Sequence, residues 1–82
     1  MPTVVLFSKP DCHLCEQAED ILNALSRELP FRWRRVNIES DPALFARYRF
    51  EIPVIAVDGG PELKWPTTRE RVKRALVGGG IG

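Results

Sequence analysis

Two cysteines, in the order Cys12-His13-Leu14-Cys15, are the side chains best suited to chemistry in this chain of 82 residues. The chain has two cysteines in all, so each has the other as its partner within the chain. A disulfide between them would close a very short loop, which constrains the unfolded chain little and stabilises the fold little. The spacing therefore indicates either a redox-active dithiol or part of a metal site.

Charged residues close to the pair bear on which thiol reacts. We expect Cys12 at the N-cap of a helix or just before its first turn, where unpaired backbone N–H groups and the helix dipole stabilise a thiolate. Lys9 and His13 would add positive charge that favours the thiolate, whereas Asp11 would oppose them if its carboxylate faced the sulfur. A simpler interpretation leaves His13 as an exposed helical residue with little influence.

Metal binding is the alternative for the same residues. Cys12, His13 and Cys15 offer three soft ligands. Because Cys12 and His13 are adjacent in the chain, their side chains do not converge easily on one zinc ion. We therefore expect redox chemistry and no metal site.

The segments on either side of the pair are predicted to be a strand and a helix. The apolar, β-branched run over 3–7 is typical of a buried strand, and Pro10 and Asp11 break the loop that follows. Over 13–29, apolar residues recur every three or four positions and predict an amphipathic helix that Pro30 ends. Its predicted inward side chains are Leu14, Ala18, Ile21, Leu22, Leu25 and Leu29.

The middle of the chain predicts a second strand and a short helix. Residues 31–38 are the predicted strand. Asp41 suits the N-cap of the helix and Pro42 its first position, since proline needs no hydrogen-bond partner for its nitrogen there. The predicted inward residues of this helix are Leu44, Phe45 and Tyr48.

The last third of the chain predicts a hairpin and a helix. Residues 52–57 and 62–65 are the two strands, and Asp58-Gly59-Gly60 is the turn signal between them. A final helix is predicted from 66–68 to about residue 77, with Val72, Ala75 and Leu76 facing inward. Residues 78–82 are rich in glycine and predict a flexible tail.

The order of elements, β-α-β-α-β-β-α, predicts an α/β fold. The first two strands are joined through a helix and should pair in parallel with a right-handed crossover, whereas the last two form an antiparallel hairpin. We therefore predict a mixed four-stranded sheet with helices on both faces. Residues 1–77 would form one domain and residues 78–82 the tail.

Composition and charge exclude several classes of protein. The chain is 44% hydrophobic and 28% charged, which is ordinary for a globular domain. No segment approaches the roughly 20 apolar residues that a membrane span needs, and the N-terminus has no secretory signal pattern. A net charge of +1 is too small to indicate a nucleic-acid or membrane-surface partner. We expect a cytoplasmic monomer.

Four stretches at particular spacings carry a family resemblance. Residues 7–15 follow the first strand, 36–38 end the second, 52–55 enter the third and 58–59 turn into the fourth; their sequences are FSKPDCHLC, VNI, IPVI and DG. Over residues 3 to about 77 the chain resembles the glutaredoxin branch of the thioredoxin-like superfamily, including its small bacterial glutaredoxin-like proteins. The resemblance implies a thioredoxin-like fold with a cis Ile52–Pro53 bond opposite the cysteines.

The resemblance also implies thiol–disulfide oxidoreductase activity on protein or small-molecule disulfides. Cys12 would attack the substrate and form a mixed disulfide, and Cys15 would resolve it. Pro53 lacks an N–H group and would leave the backbone of Ile52 to pair with the substrate. We expect no tightly bound cofactor. The implied partners are a disulfide-containing protein or glutathione mixed disulfide, and a thiol reductant or reductase.

Two features depart from typical glutaredoxins. The motif is CHLC where they have CPYC, and residues 64–68, KWPTT, stand where they carry a Gly-Gly and acidic pair that binds glutathione. Thr67 and Thr68 would cap the last helix and offer hydroxyl contacts to a substrate. Glutathione as co-substrate and thioredoxin reductase as electron donor are therefore both left open.

Other interpretations also stay open. A dimer could share an iron–sulfur cluster through Cys12 and glutathione, or a non-catalytic domain could hold a peptide in the groove beside Pro53. Trp33 and Trp65 suit either the core or a stacking surface near the cysteines. The arginine-rich segments are either a solvated face or a basic rim that attracts an acidic peptide or glutathione; they contain Arg32, Arg34, Arg35, Arg47 and Arg49.

Overall fold

The computed structural model describes residues 3–78, which form four strands, three α-helices and one short 3-10 helix in the predicted order. Residues 1–2 and 79–82, including most of the predicted tail, lie outside the described part. The elements are β1 (Thr3–Ser8), α1 (His13–Ser26), β2 (Arg32–Asn37), the 3-10 helix (Ile38–Ser40), α2 (Pro42–Tyr48), β3 (Val54–Val57), β4 (Glu62–Lys64) and α3 (Arg69–Gly78).

The four strands form one mixed sheet in the order β2-β1-β3-β4. β1 pairs in parallel with β2, and the antiparallel hairpin of β3 and β4 joins the other edge of β1. Gly59, with φ of 73°, supplies the left-handed conformation that the hairpin turn requires. Because β1 is central, the loop that follows it leaves the sheet from the middle of one end.

Helices α1 and α3 cover one face of the sheet and enclose the larger core. Buried side chains alternate along β1 and recur every three or four residues along α1, as the sequence pattern predicts. Trp33 and Trp65 are partly buried against this core. Its buried members are Val4, Leu6, Ala18, Leu22, Leu25, Phe31, Ile55, Val57, Val72 and Leu76.

Helix α2 covers part of the opposite face with a smaller core. Asp41 accepts a hydrogen bond from Ala43 N at 2.8 Å, so the predicted N-cap is confirmed. Tyr48 stacks on Phe7 with ring centroids 4.4 Å apart, and its hydroxyl donates to Glu62 at 2.9 Å. The buried members of this core are Ile38, Tyr48 and Val54, with Phe7, Leu44, Phe45 and Ile52 packed against them.

Several predicted boundaries are wrong by one to three residues. α1 ends at Ser26, because the next amides bond back to Ala24 and Leu25 in a turn that continues to Pro30. β3 begins at Val54, after Pro53, which has no N–H to donate to a ladder. α3 begins at Arg69 and includes Gly78, which the sequence pattern places in the tail.

Leu14 is the one predicted inward residue of α1 that is exposed, at 45%. It occupies the second position of the helix, where Cys15 takes the inward direction that Ala18 and Leu22 continue. A residue one position earlier on a helix points about 100° away from Cys15. Leu14, which lies between the two cysteines in the sequence, is therefore at the surface of the protein.

No helix within residues 3–78 combines the length and the apolar character that a membrane crossing needs.

Candidate active site

Cys12 and Cys15 form a disulfide at the N-terminus of α1, with their Cα atoms 5.2 Å apart. Cys12 is the N-cap residue in extended conformation, and its Sγ accepts a hydrogen bond from the backbone N–H of Cys15 at 3.2 Å. Cys12 is half-buried, whereas Cys15 is only 2% exposed. The predicted helix position of Cys12 is confirmed, and Cys12 is the more accessible residue of the pair.

The loop between β1 and the disulfide ends in an unusual backbone conformation. Asp11 has φ of 58°, in the left-handed region that aspartate adopts more readily than most residues. Asp11 immediately precedes Cys12, so this turn brings the chain from the end of β1 to the N-cap of α1. The side chain of Asp11 does not serve as that cap, because Cys12 itself holds the position.

A cleft of about 570 Å³ opens beside the disulfide. It lies between the first two turns of α1 and the end of β2, and charged and polar side chains make up much of its lining. Lys9 and His13, both predicted to influence Cys12, line it. The other lining residues are Ser8, Pro10, Asp11, Cys12, Cys15, Glu16, Glu19, Arg35 and Asn37.

Two ion pairs form between charged side chains that line the cleft. Arg35 of β2 binds Glu19 of α1 at 2.8 Å. His13 Nδ1 lies 3.3 Å from Glu16, and the His13 side chain is 83% exposed. Glu16 therefore offsets the positive charge of a protonated His13 near Cys12. The effects of Lys9 and His13 on Cys12 stay predictions.

The proline loop lies on the other side of β1. Phe7 pairs with Val54 in the antiparallel register, so Pro53 comes next to Ser8 at the end of β1. The Ile52–Pro53 bond is cis, as the resemblance implies, and Pro53 is buried. The expectation that the backbone of Ile52 is left to pair with a substrate needs correction for its N–H group, which donates to Tyr48 O at 3.1 Å.

The two predicted threonines follow β4. Thr68 Oγ1 accepts from Arg71 N at 3.2 Å and caps α3, as predicted. For Thr67 the prediction is wrong: its Oγ1 is buried and has no hydrogen-bond partner among the described residues, so it neither caps α3 nor faces a substrate. Within residues 3–78, the cleft is lined by neither threonine and by neither Ile52 nor Pro53. The predicted substrate contacts therefore lie outside the lining of this cleft.

Several residues beside the cysteines are absent from the site that the sequence predicts. Ser8, Glu19, Arg35 and Asn37 line the cleft. Three signals in the sequence would have indicated them: Ser8 continues the buried alternation of β1, and Glu19 follows Cys15 by one helical turn. Parallel pairing of the first two strands brings the end of the second to the same edge as the cysteines.

Metal ligands are the alternative for this region. Among residues 3–78, the structure contains no group of three or more histidine, cysteine, aspartate or glutamate side chains placed to hold a metal ion. The disulfide occupies both sulfur atoms.

Comparison with known families gives a match over nearly the whole chain. The family model described as Glutaredoxin-like domain (DUF836) matches residues 3–77. The Mycobacterium tuberculosis protein Rv0508 is 25% identical over 81 residues, which cover 93% of this chain and 84% of that protein.

Solved structures resemble the fold closely. The X-ray structure of protein XcR50 from X. campestris has 36% sequence identity and a TM-score of 0.75, covering 92% of this chain and 96% of that one. A point mutant of thioredoxin from Halobacterium salinarum has 16% identity and the same TM-score of 0.75, covering 94% of this chain and 73% of the thioredoxin. The second likeness establishes a thioredoxin-like fold.

Proposed function

Because the chain belongs to the glutaredoxin-like domain family, we propose that it is a thiol–disulfide oxidoreductase with Cys12 as nucleophile and Cys15 as resolving thiol. The observation that carries the proposal is the difference in burial between the two cysteines at the N-terminus of α1. A nucleophile must meet its substrate, and Cys12 is half-buried at the N-cap. A resolving thiol must reach only its neighbour, and Cys15 is buried one turn later.

The surroundings of Cys12 favour the reactive form of its thiol. The backbone N–H of Cys15 points at Cys12 Sγ, and the same hydrogen bond would stabilise a thiolate. The positive end of the α1 dipole acts in the same direction. Thiolates are the attacking species in disulfide exchange, so this geometry supports Cys12 as the attacking residue.

Two exchange steps complete the reaction. The Cys12 thiolate attacks a substrate disulfide, forms a mixed disulfide and releases one substrate sulfur as a thiolate, which takes up a proton. Cys15, after losing its proton, attacks Cys12 Sγ and expels the second substrate sulfur. The substrate gains two electrons, and the protein is left with the Cys12–Cys15 disulfide. An external thiol reductant then restores the dithiol.

Substrate binding is assigned to the side of the disulfide nearest Pro53. The Ile52 carbonyl is the backbone acceptor there, and Thr68 offers a hydroxyl group farther along the chain, whereas the Thr67 hydroxyl is buried. The substrates are protein or small-molecule disulfides, and the electron donor is glutathione or a reductase. We place the protein in the cytoplasm as a monomer, where thiol reductants keep such a dithiol reduced.

Turnover with two separate donor systems tests the proposal. Reduction of insulin and of hydroxyethyl disulfide is measured with glutathione plus its reductase, and separately with thioredoxin reductase. We expect turnover with at least one donor and none for Cys12→Ser. Ser26→Ala is the matched control, because Ser26 lies at the exposed far end of α1.

The result that overturns the proposal is equally specific. If neither donor sustains turnover, or if Cys12→Ser is as active as the parent chain, the function is wrong although the fold is right. An absorption spectrum of freshly purified protein with iron–sulfur bands would instead favour cluster binding. Tight binding of a peptide without reduction would favour a non-catalytic domain.

A further inference from the structure

The hydroxyl of Ser8 is buried without a hydrogen-bond partner. Ser8 is 1% exposed, and among residues 3–78 no group accepts from its Oγ or donates to it. Buried hydroxyl groups in proteins are almost always paired, because leaving one unpaired costs its desolvation free energy. An exception at the end of the central strand, beside a redox-active pair, calls for a physical explanation.

The side chain of Ser8, on β1, points toward α1, and the side chain of Cys15, on α1, points toward the sheet. Side chains alternate along β1, and Val4 and Leu6 point into the core beneath α1, so Ser8 points the same way. On α1, Cys15 lies one turn before Ala18, which belongs to that same core. Both Ser8 and Cys15 also line the cleft beside the disulfide. The Ser8 hydroxyl therefore lies under the first turn of α1, on the side of the buried cysteine.

The state of the disulfide changes what Ser8 can bind. In the oxidised protein, the sulfur of Cys15 is bonded to Cys12 and is a weak acceptor. In the reduced protein, Cys15 carries either a thiol, which can donate a hydrogen bond as well as accept one, or a thiolate, which accepts a stronger, charge-assisted hydrogen bond. Opening the disulfide thus creates a partner for a hydroxyl that otherwise has none among the described residues.

We propose that the Ser8 hydroxyl hydrogen-bonds to the Cys15 sulfur when the disulfide is open, and so shifts the redox equilibrium toward the dithiol. This deepens the proposed function, since it rests on reversible opening of the Cys12–Cys15 bond. Two thiols of glutathione supply the two electrons and two protons, giving glutathione disulfide and the dithiol protein. Ser8 also stabilises the resolving thiol in the position from which it attacks.

The redox equilibrium of Ser8→Ala tests this directly. The whole chain is equilibrated in glutathione buffers of graded ratio, and the fraction reduced is read by thiol alkylation and mass spectrometry. We expect the equilibrium constant for reduction to fall about tenfold in Ser8→Ala, which corresponds to a potential lower by about 30 mV. Ser26→Ala removes an exposed serine hydroxyl from the far end of α1 and should match the parent. A Ser8→Ala constant within twofold of the parent would overturn the proposal.

Unfolding of the two redox forms gives an independent readout. Ser8→Ala should destabilise the reduced protein relative to the oxidised one, by the same factor that the redox titration gives, since the two measurements close a thermodynamic cycle. Equal destabilisation of both forms would show a purely structural role and would contradict the proposal. Neither measurement needs turnover, so an inactive protein with the expected shift would refute the proposed function and leave the role of Ser8 standing.

Discussion

The two faces of the sheet support the candidate site by different means. Beneath α1 and α3, a core of ten buried residues fixes the element that carries Cys15. Beneath α2, three buried residues form a smaller core beside the loop that carries Pro53. Polar contacts between α2 and β4 supplement this smaller core, since Tyr48 and Arg47 both bind Glu62. The helix that carries Cys15 therefore packs on the larger apolar core, whereas the side that carries Pro53 has a smaller apolar core and polar contacts between α2 and β4.

This difference matters for a site that lies between the two cores. Local stability in a protein follows the density of buried apolar contacts, so the two sides should open at different free energies. A rigid thiol pair facing a more adaptable proline loop would accept substrates of different shapes. The comparison can be tested by changing matched residues on each side.

The largest effect is expected from truncating one leucine in each core. Leu22 is fully buried in the larger core, and Leu44 is partly buried against the smaller one. We expect Leu22→Ala to lower the free energy of unfolding by about 3 kcal/mol and Leu44→Ala by about 1 kcal/mol, because the buried site loses more contacts and leaves a cavity. Urea denaturation of both variants measures the two values. A Leu44→Ala cost equal to that of Leu22→Ala would mean that the cores are equivalent.

Amide hydrogen exchange compares the two sides without mutation. We expect the amides of Leu22 and Leu25 in α1 to exchange about tenfold to a hundredfold more slowly than that of Tyr48 in α2, after correction for intrinsic rates. NMR-detected exchange on the oxidised protein gives the rates. Equal protection of the amides in α1 and α2 would contradict the predicted difference in local stability.

A smaller effect is expected from the hydroxyl of Tyr48. Burial, together with the hydrogen bond to Glu62, raises the pKa of Tyr48 above its ordinary value of 10.0. Because the folded protein holds this proton more tightly than the unfolded chain, the stability it contributes is present below about pH 10 and is lost as the pH rises through the folded pKa. Tyr48→Phe should cost about 1 kcal/mol at neutral pH and lose this part of the pH dependence.

The measurement for Tyr48 is urea denaturation between neutral and strongly alkaline pH, on the parent and on Tyr48→Phe. Tyr48 is the single tyrosine of the chain, so tyrosinate absorbance follows its ionisation directly. Parallel stability curves for the two proteins across the alkaline range would contradict the account of this contact.

The smallest effect is expected from the ion pair across the cleft. Arg35 is 58% exposed and binds Glu19 at 2.8 Å. Exposed pairs contribute little after screening by water and salt, so Arg35→Gln should lower the free energy of unfolding by at most about 1 kcal/mol. Denaturation at low and high salt measures it. A cost as large as that of Leu22→Ala would mean that the ion pair at the cleft holds α1 to the sheet as strongly as the core does.

Much of this fold could be predicted because its local signals agree with its packing. Alternation along β1, the apolar spacing of α1 and the capping residues Asp41 and Pro42 each indicate one structure. The boundaries failed where backbone hydrogen bonds decide them, as at Ser26 and Val54. Apolar periodicity continues beyond both points and carries no information about which amide bonds to which carbonyl.

The candidate site could be predicted only in part. The cysteines and Pro53 lie in motifs, and their relative placement follows from the strand order. Ser8 lies in the stretch that carries the family resemblance and Arg35 in an arginine-rich segment, but neither pattern assigns them a place beside Cys15. Their relation to Cys15 depends on strand pairing and side-chain direction, which become visible once the chain is folded.

The division of roles between the two cysteines is tested most directly by trapping the mixed disulfide. Reduced Cys12→Ser and Cys15→Ser are each mixed with oxidised glutathione, and the adduct is followed by mass spectrometry. We predict that Cys15→Ser forms a persistent adduct on Cys12 at a rate at least about tenfold above that of Cys12→Ser, because Cys12 is the more accessible thiol and lies at the helix N-cap. Equal rates, or faster adduct formation through Cys15, would contradict the account.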